Sequence, residues 1–136
     1  MKIYLFFVII ISMNEEELSV NADIRLMLKI YKTYEVDWMG DEIKDPSRLT
    51  RHHIIKKEEG GENGISNYAL LTEYSHHIMN YIEENDYESY MALNNLFLEL
   101  NRSVAPPTIE YYEKVRSIVK RVKKNIKNDR RGRGRR

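Results

Sequence analysis

One segment near the middle of the chain, residues 49–81, constrains the fold more than any other. It contains two short runs rich in apolar and β-branched residues, at 49–55 and 67–71, separated by the glycine-containing stretch "KKEEGGENGIS". Such runs, bounded by glycine, predict two strands joined by a loop. Thr72 follows the second run and can cap a helix over residues 73–85. The predicted order is therefore strand, loop, strand, helix.

Apolar residues at helical spacing predict three further helices around this segment. Asn21 is a candidate N-cap for the first. Asn85 and Glu88 suggest a capping box for the second, which runs to about Asn101. Thr108 precedes the third, whose predicted apolar face consists of Ile109, Tyr112, Val115, Ile118, Val119, Val122 and Ile126. We expect an α+β fold in which a hairpin and the helix after it form the core and other helices flank them.

Charge is distributed unevenly along the chain. Residues 109–136 contain twelve Lys/Arg and three Asp/Glu, a net charge of +9, whereas the other residues contain ten Lys/Arg and eighteen Asp/Glu, a net charge of −8. A basic block on an otherwise acidic chain suggests a polyanionic partner, and a solubilising tail is the alternative. We expect a basic amphipathic helix over residues 105–129 and a disordered basic tail over residues 130–136.

The first 20 residues form an apolar run followed by an acidic lead-in. The run, "YLFFVIII" at residues 4–11, follows Lys2 and so resembles the start of a secretory signal, but no small-residue cleavage site comes after it. It is shorter than the roughly 20 residues that a membrane-spanning helix needs. We favour a start-site artefact at Met13 or a buried segment, and expect a cytoplasmic protein without a stable membrane anchor. Secretion is the alternative if residues 1–12 act as a signal.

All four histidines lie in two adjacent pairs within the constrained segment. Neighbouring side chains on a strand point to opposite faces, so His52 and His53 cannot both do the same job from a flat strand. On the predicted helix, His76 and Asn80 share a face, while His77 points about 100° away from His76. A metal between strand and helix would be held by His52 and His76, with Asn80 as a weaker third ligand, and His53 would face a substrate.

The segment resembles the HNH nuclease motif, also called the ββα-metal motif. The family pattern is an acid or histidine followed by a histidine, often a Gly-Gly loop, then a central asparagine and a metal-binding histidine on the helix. The matching residues of this chain are His52, His53, Gly60, Gly61, Asn67 and His76. The resemblance implies a nuclease domain over residues 21–104 that hydrolyses phosphodiester bonds in DNA, with RNA as an alternative substrate.

The resemblance also implies a role for each matching residue. His53 would be the general base, because an imidazole can take a proton from water at physiological pH. His52 and His76 would hold one divalent metal, Mg²⁺ or Mn²⁺ in the first place and Zn²⁺, Ni²⁺ or Co²⁺ as alternatives. Asn80 stands where some members carry a second helix histidine. Asn67 would pin the loop backbone and orient His53, since an amide both donates and accepts.

Two groups of basic residues are candidates for phosphate contacts. Lys56 and Lys57 follow the first histidine pair, and Lys120, Arg121 and Lys124 lie on the predicted basic helix. The chain has no cysteine, so it lacks the structural zinc that many family members carry, and its scaffold must rest on packing. A catalytically silent nucleic-acid-binding module that uses the basic helix is the alternative function. The sequence does not indicate an oligomeric state.

Overall fold

The computed structural model describes residues 21–134, which form a mixed α+β fold. Within that range the elements are, in chain order, α1 (Ala22–Tyr31), β1 (Thr50–His53), β2 (Tyr68–Leu71), α2 (Glu73–Asn85), α3 (Tyr87–Ser103) and α4 (Ile109–Gly134). The apolar run at the N-terminus lies outside the described residues. Among the helices of residues 21–134, none combines the length and the apolar character that crossing a membrane requires.

The two strands form the predicted antiparallel hairpin. Thr50 pairs with Leu71 at one end of the ladder and His53 pairs with Tyr68 at the other. All four residues of β2 are buried, because α2 and α3 pack against the strand. On its other edge, the backbone N–H of Trp38 donates to the Leu70 carbonyl at 3.1 Å. The glycine-containing stretch between the strands is a loop with two short 3-10 turns, as the sequence predicted.

The helix that follows the hairpin begins where the sequence predicted. Thr72 Oγ1 accepts a hydrogen bond from the backbone N–H three residues later, at 3.1 Å. The predicted capping box at Asn85 and Glu88 is wrong. Asp86 caps α3 instead, because its carboxylate accepts both the backbone N–H and the hydroxyl of Ser89, at 3.2 and 2.8 Å. A carboxylate with two donors satisfies the helix end better than a neutral amide one residue earlier.

The C-terminal helix shares the core of the fold. Val115 and Val122 are buried on its inner face, together with Tyr111. The sequence placed Ile109 on this face, but Ile109 is 79% exposed. It occupies the first helical position, where the chain has only just left the preceding turn. Tyr111, whose hydroxyl has a backbone partner in the core, is the first residue of α4 to be buried.

The end of this helix differs from the prediction. Disorder was expected from Arg130, whereas the backbone is helical to Gly134. Residues 109–131 contain neither proline nor glycine, and lysine and arginine are good helix formers, so nothing in the local sequence stops the helix near residue 129.

A buried clasp ties the start of α4 to the rest of the fold; it consists of Asp37, Trp38, Tyr111 and Tyr112. The Tyr111 hydroxyl donates to the Trp38 carbonyl at 2.5 Å, and the Tyr112 hydroxyl donates to the Asp37 carbonyl at 3.2 Å. The Asp37 carboxylate is fully buried and accepts three backbone N–H groups, one of them from Thr72 at 2.9 Å. The clasp therefore links α4, the segment before β1 and the cap of α2.

Candidate functional site

Strand β1 and helix α2 bring two histidines together. The ring centroids of His52 and His76 lie 5.8 Å apart and the ring planes are perpendicular, at 89°. His52 is buried and also contacts the rings of Tyr90 and Phe97 on α3, whereas His76 is half-buried. The predicted pairing of a strand histidine with a helix histidine is therefore present in the fold.

A buried amide fixes the tautomer of His52. Its Nε2 atom lies 2.8 Å from the Oδ1 atom of Asn94 on α3. An amide oxygen only accepts hydrogen bonds, so Nε2 must carry the proton. The Nδ1 atom of His52 consequently keeps its lone pair.

A hydroxyl fixes the opposite tautomer of His76. The Nδ1 atom of His76 lies 2.8 Å from Thr50 Oγ1, and the same hydroxyl donates its only proton to the Leu71 carbonyl at 3.0 Å. Thr50 must therefore accept from His76, which places the proton on Nδ1 and leaves the lone pair on Nε2. In each ring, one nitrogen forms a hydrogen bond to a neighbouring side chain and the other nitrogen keeps its lone pair.

Burial keeps both rings neutral. The pKa of His52 is lowered to about 4, chiefly by desolvation and to a smaller extent by the neighbouring His76 and His53, while the hydrogen bond to Asn94 opposes the shift. The pKa of His76 is also lowered, first by desolvation and then by His77. Neutral imidazole is the form that can bind a metal ion, and burial favours this form in both rings at neutral pH.

The third predicted ligand and the second helix histidine lie at the surface. Asn80, one turn beyond His76, is exposed, and so is His77. Within residues 21–134 no three His, Cys, Asp or Glu side chains are grouped so that they would hold a metal ion. The chain itself thus supplies two imidazoles at this position, with an amide on the adjoining turn.

His53 lies on the other face of β1, at the point where the strand enters the loop. Its Nε2 atom is 3.0 Å from Asn63 Oδ1, and its ring stands edge-on to Tyr68 at 5.1 Å between centroids. The amide oxygen of Asn63 again requires the proton on Nε2, which leaves Nδ1 as the basic atom. The His53 side chain is half-buried and does not belong to the core.

Asn67 pins the loop backbone, as predicted. Its side-chain oxygen accepts from the Ile55 N–H at 2.9 Å, and its amide nitrogen donates to the carbonyls of Ile55 and Glu62 at 2.8 and 2.9 Å. Gly61 lies against this clamp, since a Cβ atom there would stand 1.8 Å from the Ile55 carbonyl oxygen. Only glycine fits at position 61 in this loop conformation.

The predicted phosphate contacts differ in their surroundings. Lys56 forms an ion pair with Glu83 on α2 at 2.5 Å, and this hydrogen bond raises the pKa of Lys56. Lys57, Lys120 and Lys124 are exposed. Arg121 donates to Ser89 Oγ at 3.4 Å, across the interface between α4 and α3. Lys56 and Arg121 are thus already engaged within the protein.

Three residues of the site were not predicted from the sequence. Thr50 carried a usable signal, since it lies two residues before His52 and so shares its strand face. Asn94 is a polar residue within the apolar stripe of α3, which is a weaker signal because nothing in the sequence names its partner 42 residues away. Asn63 is one polar residue among several in the loop and carries no distinctive pattern.

The lowered pKa of His52 predicts acid sensitivity. In the unfolded chain the imidazole becomes protonated when the pH falls below its ordinary pKa of 6.5. In the folded protein it becomes protonated only near pH 4, because its pKa is lowered to about 4. Between these values the unfolded state holds more protons, so stability should fall as the pH drops from 6.5 to 4, by roughly 3 kcal/mol. We expect urea unfolding at pH 7 and pH 4.5 to show this loss, and His52→Asn to show less of it.

The matched control for this comparison is His77→Gln, which removes an exposed histidine and should keep the wild-type pH dependence. Carboxylates contribute equally to all three proteins, so the difference between variants isolates His52. An unchanged pH dependence in His52→Asn would contradict the buried neutral state.

Comparison with family models, with curated proteins and with solved structures yields no match to this chain.

Proposed function

We propose that the chain is a metal-dependent endonuclease of the HNH type that hydrolyses phosphodiester bonds in DNA. The observation that carries the proposal is the His52–His76 pair. Two neutral imidazoles from a strand and a helix lie 5.8 Å apart, and each is held through one nitrogen so that the other is bare. Ring nitrogens fixed in this way by outer hydrogen bonds are typical of metal-binding histidines.

Two imidazoles and one amide would hold one divalent cation. His52 would bind it through Nδ1 and His76 through Nε2, with the exposed Asn80 amide as the weaker third ligand. The few protein ligands leave positions for water and for a phosphate oxygen. A bound Mg²⁺ or Mn²⁺ would neutralise charge on the scissile phosphate and on the leaving oxygen. Zn²⁺, Ni²⁺ and Co²⁺ also suit imidazole nitrogens.

His53 would act as the general base. Its Nε2–H is fixed on Asn63, so Nδ1 would take the proton of the attacking water. His52 and His53 are adjacent on β1, so they face opposite sides of the strand and would have different roles. His52 faces the helices, and His53 faces the loop. The Asn67 clamp holds the backbone directly after His53, which positions the base without contacting the substrate.

The experiment that tests this function is a plasmid assay with the full chain in Mg²⁺ or Mn²⁺, with and without EDTA. We expect nicked plasmid with metal, no product with EDTA, and recovery when excess metal is added back. His76→Gln, which keeps a polar side chain but removes the bare Nε2, should lose both cleavage and Mn²⁺ binding measured by calorimetry. Cleavage that continues at the same rate in EDTA would contradict the proposal.

The second candidate function is a nucleic-acid-binding module without catalysis. The observation that favours it is the exposed lysine-rich outer face of α4, together with only two imidazoles at the metal position. Gel retardation of the plasmid without any metal-dependent product would support this candidate over the nuclease. An RNA of matched length, assayed in parallel, separates the DNA substrate from the RNA alternative.

A further inference from the structure

The outer face of α4 divides its basic residues into two kinds. Arg121 is engaged with Ser89 on α3, and Lys114 pairs with Glu110 one turn earlier at 3.4 Å. Five other basic residues within residues 109–128 are exposed, and four of them share one side of the helix: Arg116, Lys120, Lys123 and Lys127. We call these four residues the basic stripe.

The basic stripe is continuous along one side of the helix. Its members follow one another at intervals of four, three and four residues, which keeps them on one face. At 1.5 Å per residue the stripe is about 16 Å long, which matches the axial length of about five nucleotide steps in one DNA strand. All four members are exposed, and the buried residues Val115 and Val122 lie on a different side of the helix.

Among the described side chains, the charges of the stripe form no ion pairs. Elsewhere on the surface, basic side chains pair with acidic ones, as in Arg48–Glu73 and Arg51–Asp23. Among residues 21–128, no ion pair involves a member of the stripe. From residue 114 to residue 128 the sequence contains seven Lys/Arg and no Asp or Glu.

This arrangement weakens the isolated helix, because like charges three and four residues apart repel each other. A partner that supplies regularly spaced negative charge removes the repulsion and gains from the release of its counterions. We propose that the basic stripe binds the phosphate backbone of duplex DNA, in a manner independent of sequence. The stripe revises the predicted contacts: Lys120 belongs to it, Arg121 does not, and Lys124 lies beside it.

This binding goes beyond the proposed cleavage and does not depend on it. The test therefore uses the full chain in EDTA, where no metal-dependent cleavage occurs, and measures fluorescence anisotropy of a labelled 20-base-pair duplex over a series of salt concentrations. The stripe variant carries Arg116→Gln, Lys120→Gln, Lys123→Gln and Lys127→Gln. The control variant removes four exposed charges outside α4 and carries Lys29→Gln, Lys32→Gln, Lys44→Gln and Arg102→Gln.

We expect the stripe variant to bind about 100-fold or more weakly at 0.1 M salt, and its slope of log K against log salt to be shallower by about 3–4. The control variant, which has the same net charge, should bind within about threefold of wild type, because surface charges beyond a Debye length are screened. Circular dichroism should show equal helicity in all three proteins, since glutamine is a good helix former.

Three outcomes would overturn the proposal. One is equal loss of binding in the stripe and control variants, which would indicate net charge alone. Another is a wild-type chain that does not bind the duplex, or that binds only vesicles containing anionic lipid. The third concerns single changes: if Lys120→Gln and Lys123→Gln each leave the salt slope unchanged, the stripe does not contact phosphates. Binding is measured in EDTA, so a failed cleavage assay leaves this result intact.

Discussion

Replacing His53 with alanine is expected to reduce plasmid cleavage by about 10²–10⁴-fold, the usual contribution of a general base. The side chain contacts Asn63 and the edge of Tyr68 but is not part of the buried core, so the fold should be retained. Binding of Mn²⁺ should also be retained, because His53 lies on the opposite face of β1 from His52. The measurement is the initial nicking rate of purified protein in Mn²⁺.

The matched control is His77→Ala. His77 is exposed and follows the proposed ligand His76, but it points to another side of α2, so its removal should leave the nicking rate near wild type. If His53→Ala nicks at the wild-type rate, His53 is not the base. If His77→Ala loses as much activity as His53→Ala, the proposed roles of the histidines are wrong, because His77 has no role in the proposed mechanism.

Replacing Gly61 with alanine is expected to destabilise the fold by about 3 kcal/mol or more, in the range of severe overpacking. The new Cβ atom would stand 1.8 Å from the Ile55 carbonyl oxygen and 2.9 Å from the Asn67 amide nitrogen. The first contact is with backbone that cannot shift easily, since Asn67 holds both the N–H and the carbonyl of Ile55. Urea unfolding followed by circular dichroism measures the loss.

Gly60 provides an internal comparison for this prediction. It has a φ of +88°, yet a Cβ atom there would meet nothing within 4 Å. Gly60→Ala should therefore cost only the left-handed backbone strain, about 1–2 kcal/mol. Equal or greater destabilisation in Gly60→Ala than in Gly61→Ala would show that steric contact with the clamp is not what requires glycine at position 61.

Much of the central fold could be predicted because its signals are local. Thr72 is followed directly by a helical pattern, and the structure has the helix over the predicted residues. Both strands lie inside the predicted runs and the loop between them holds the glycines. The error at Asn85 arose where two adjacent residues could each cap a helix. The segment around Trp38 was not predicted at all, because its burial depends on tertiary hydrogen bonds and it has no periodic pattern.

The candidate site was predictable where one strand or one helix sets the geometry. The alternation of side chains along β1 predicted that His52 and His53 face opposite sides of the strand. The predicted helix directly after β2 indicated that His76 would lie near His52. The residue that fixes the His52 ring, Asn94, comes from α3, and only the packing of that helix on the hairpin brings it within 2.8 Å. The exposure of Asn80 was not predictable either, because it depends on how the elements around the histidine pair pack.

The clasp between Tyr111, Tyr112 and the segment at Asp37 and Trp38 bears on how the molecule could be trimmed or diversified. A fragment ending before α4 would leave the buried Trp38 carbonyl without its donor and would uncover the core beside Val115. We therefore expect that the hairpin and α2 would not fold as an isolated fragment of this chain. The outward side of α4 is free of that constraint, so substitutions there could alter the proposed binding of polyanions while the inward side keeps its packing.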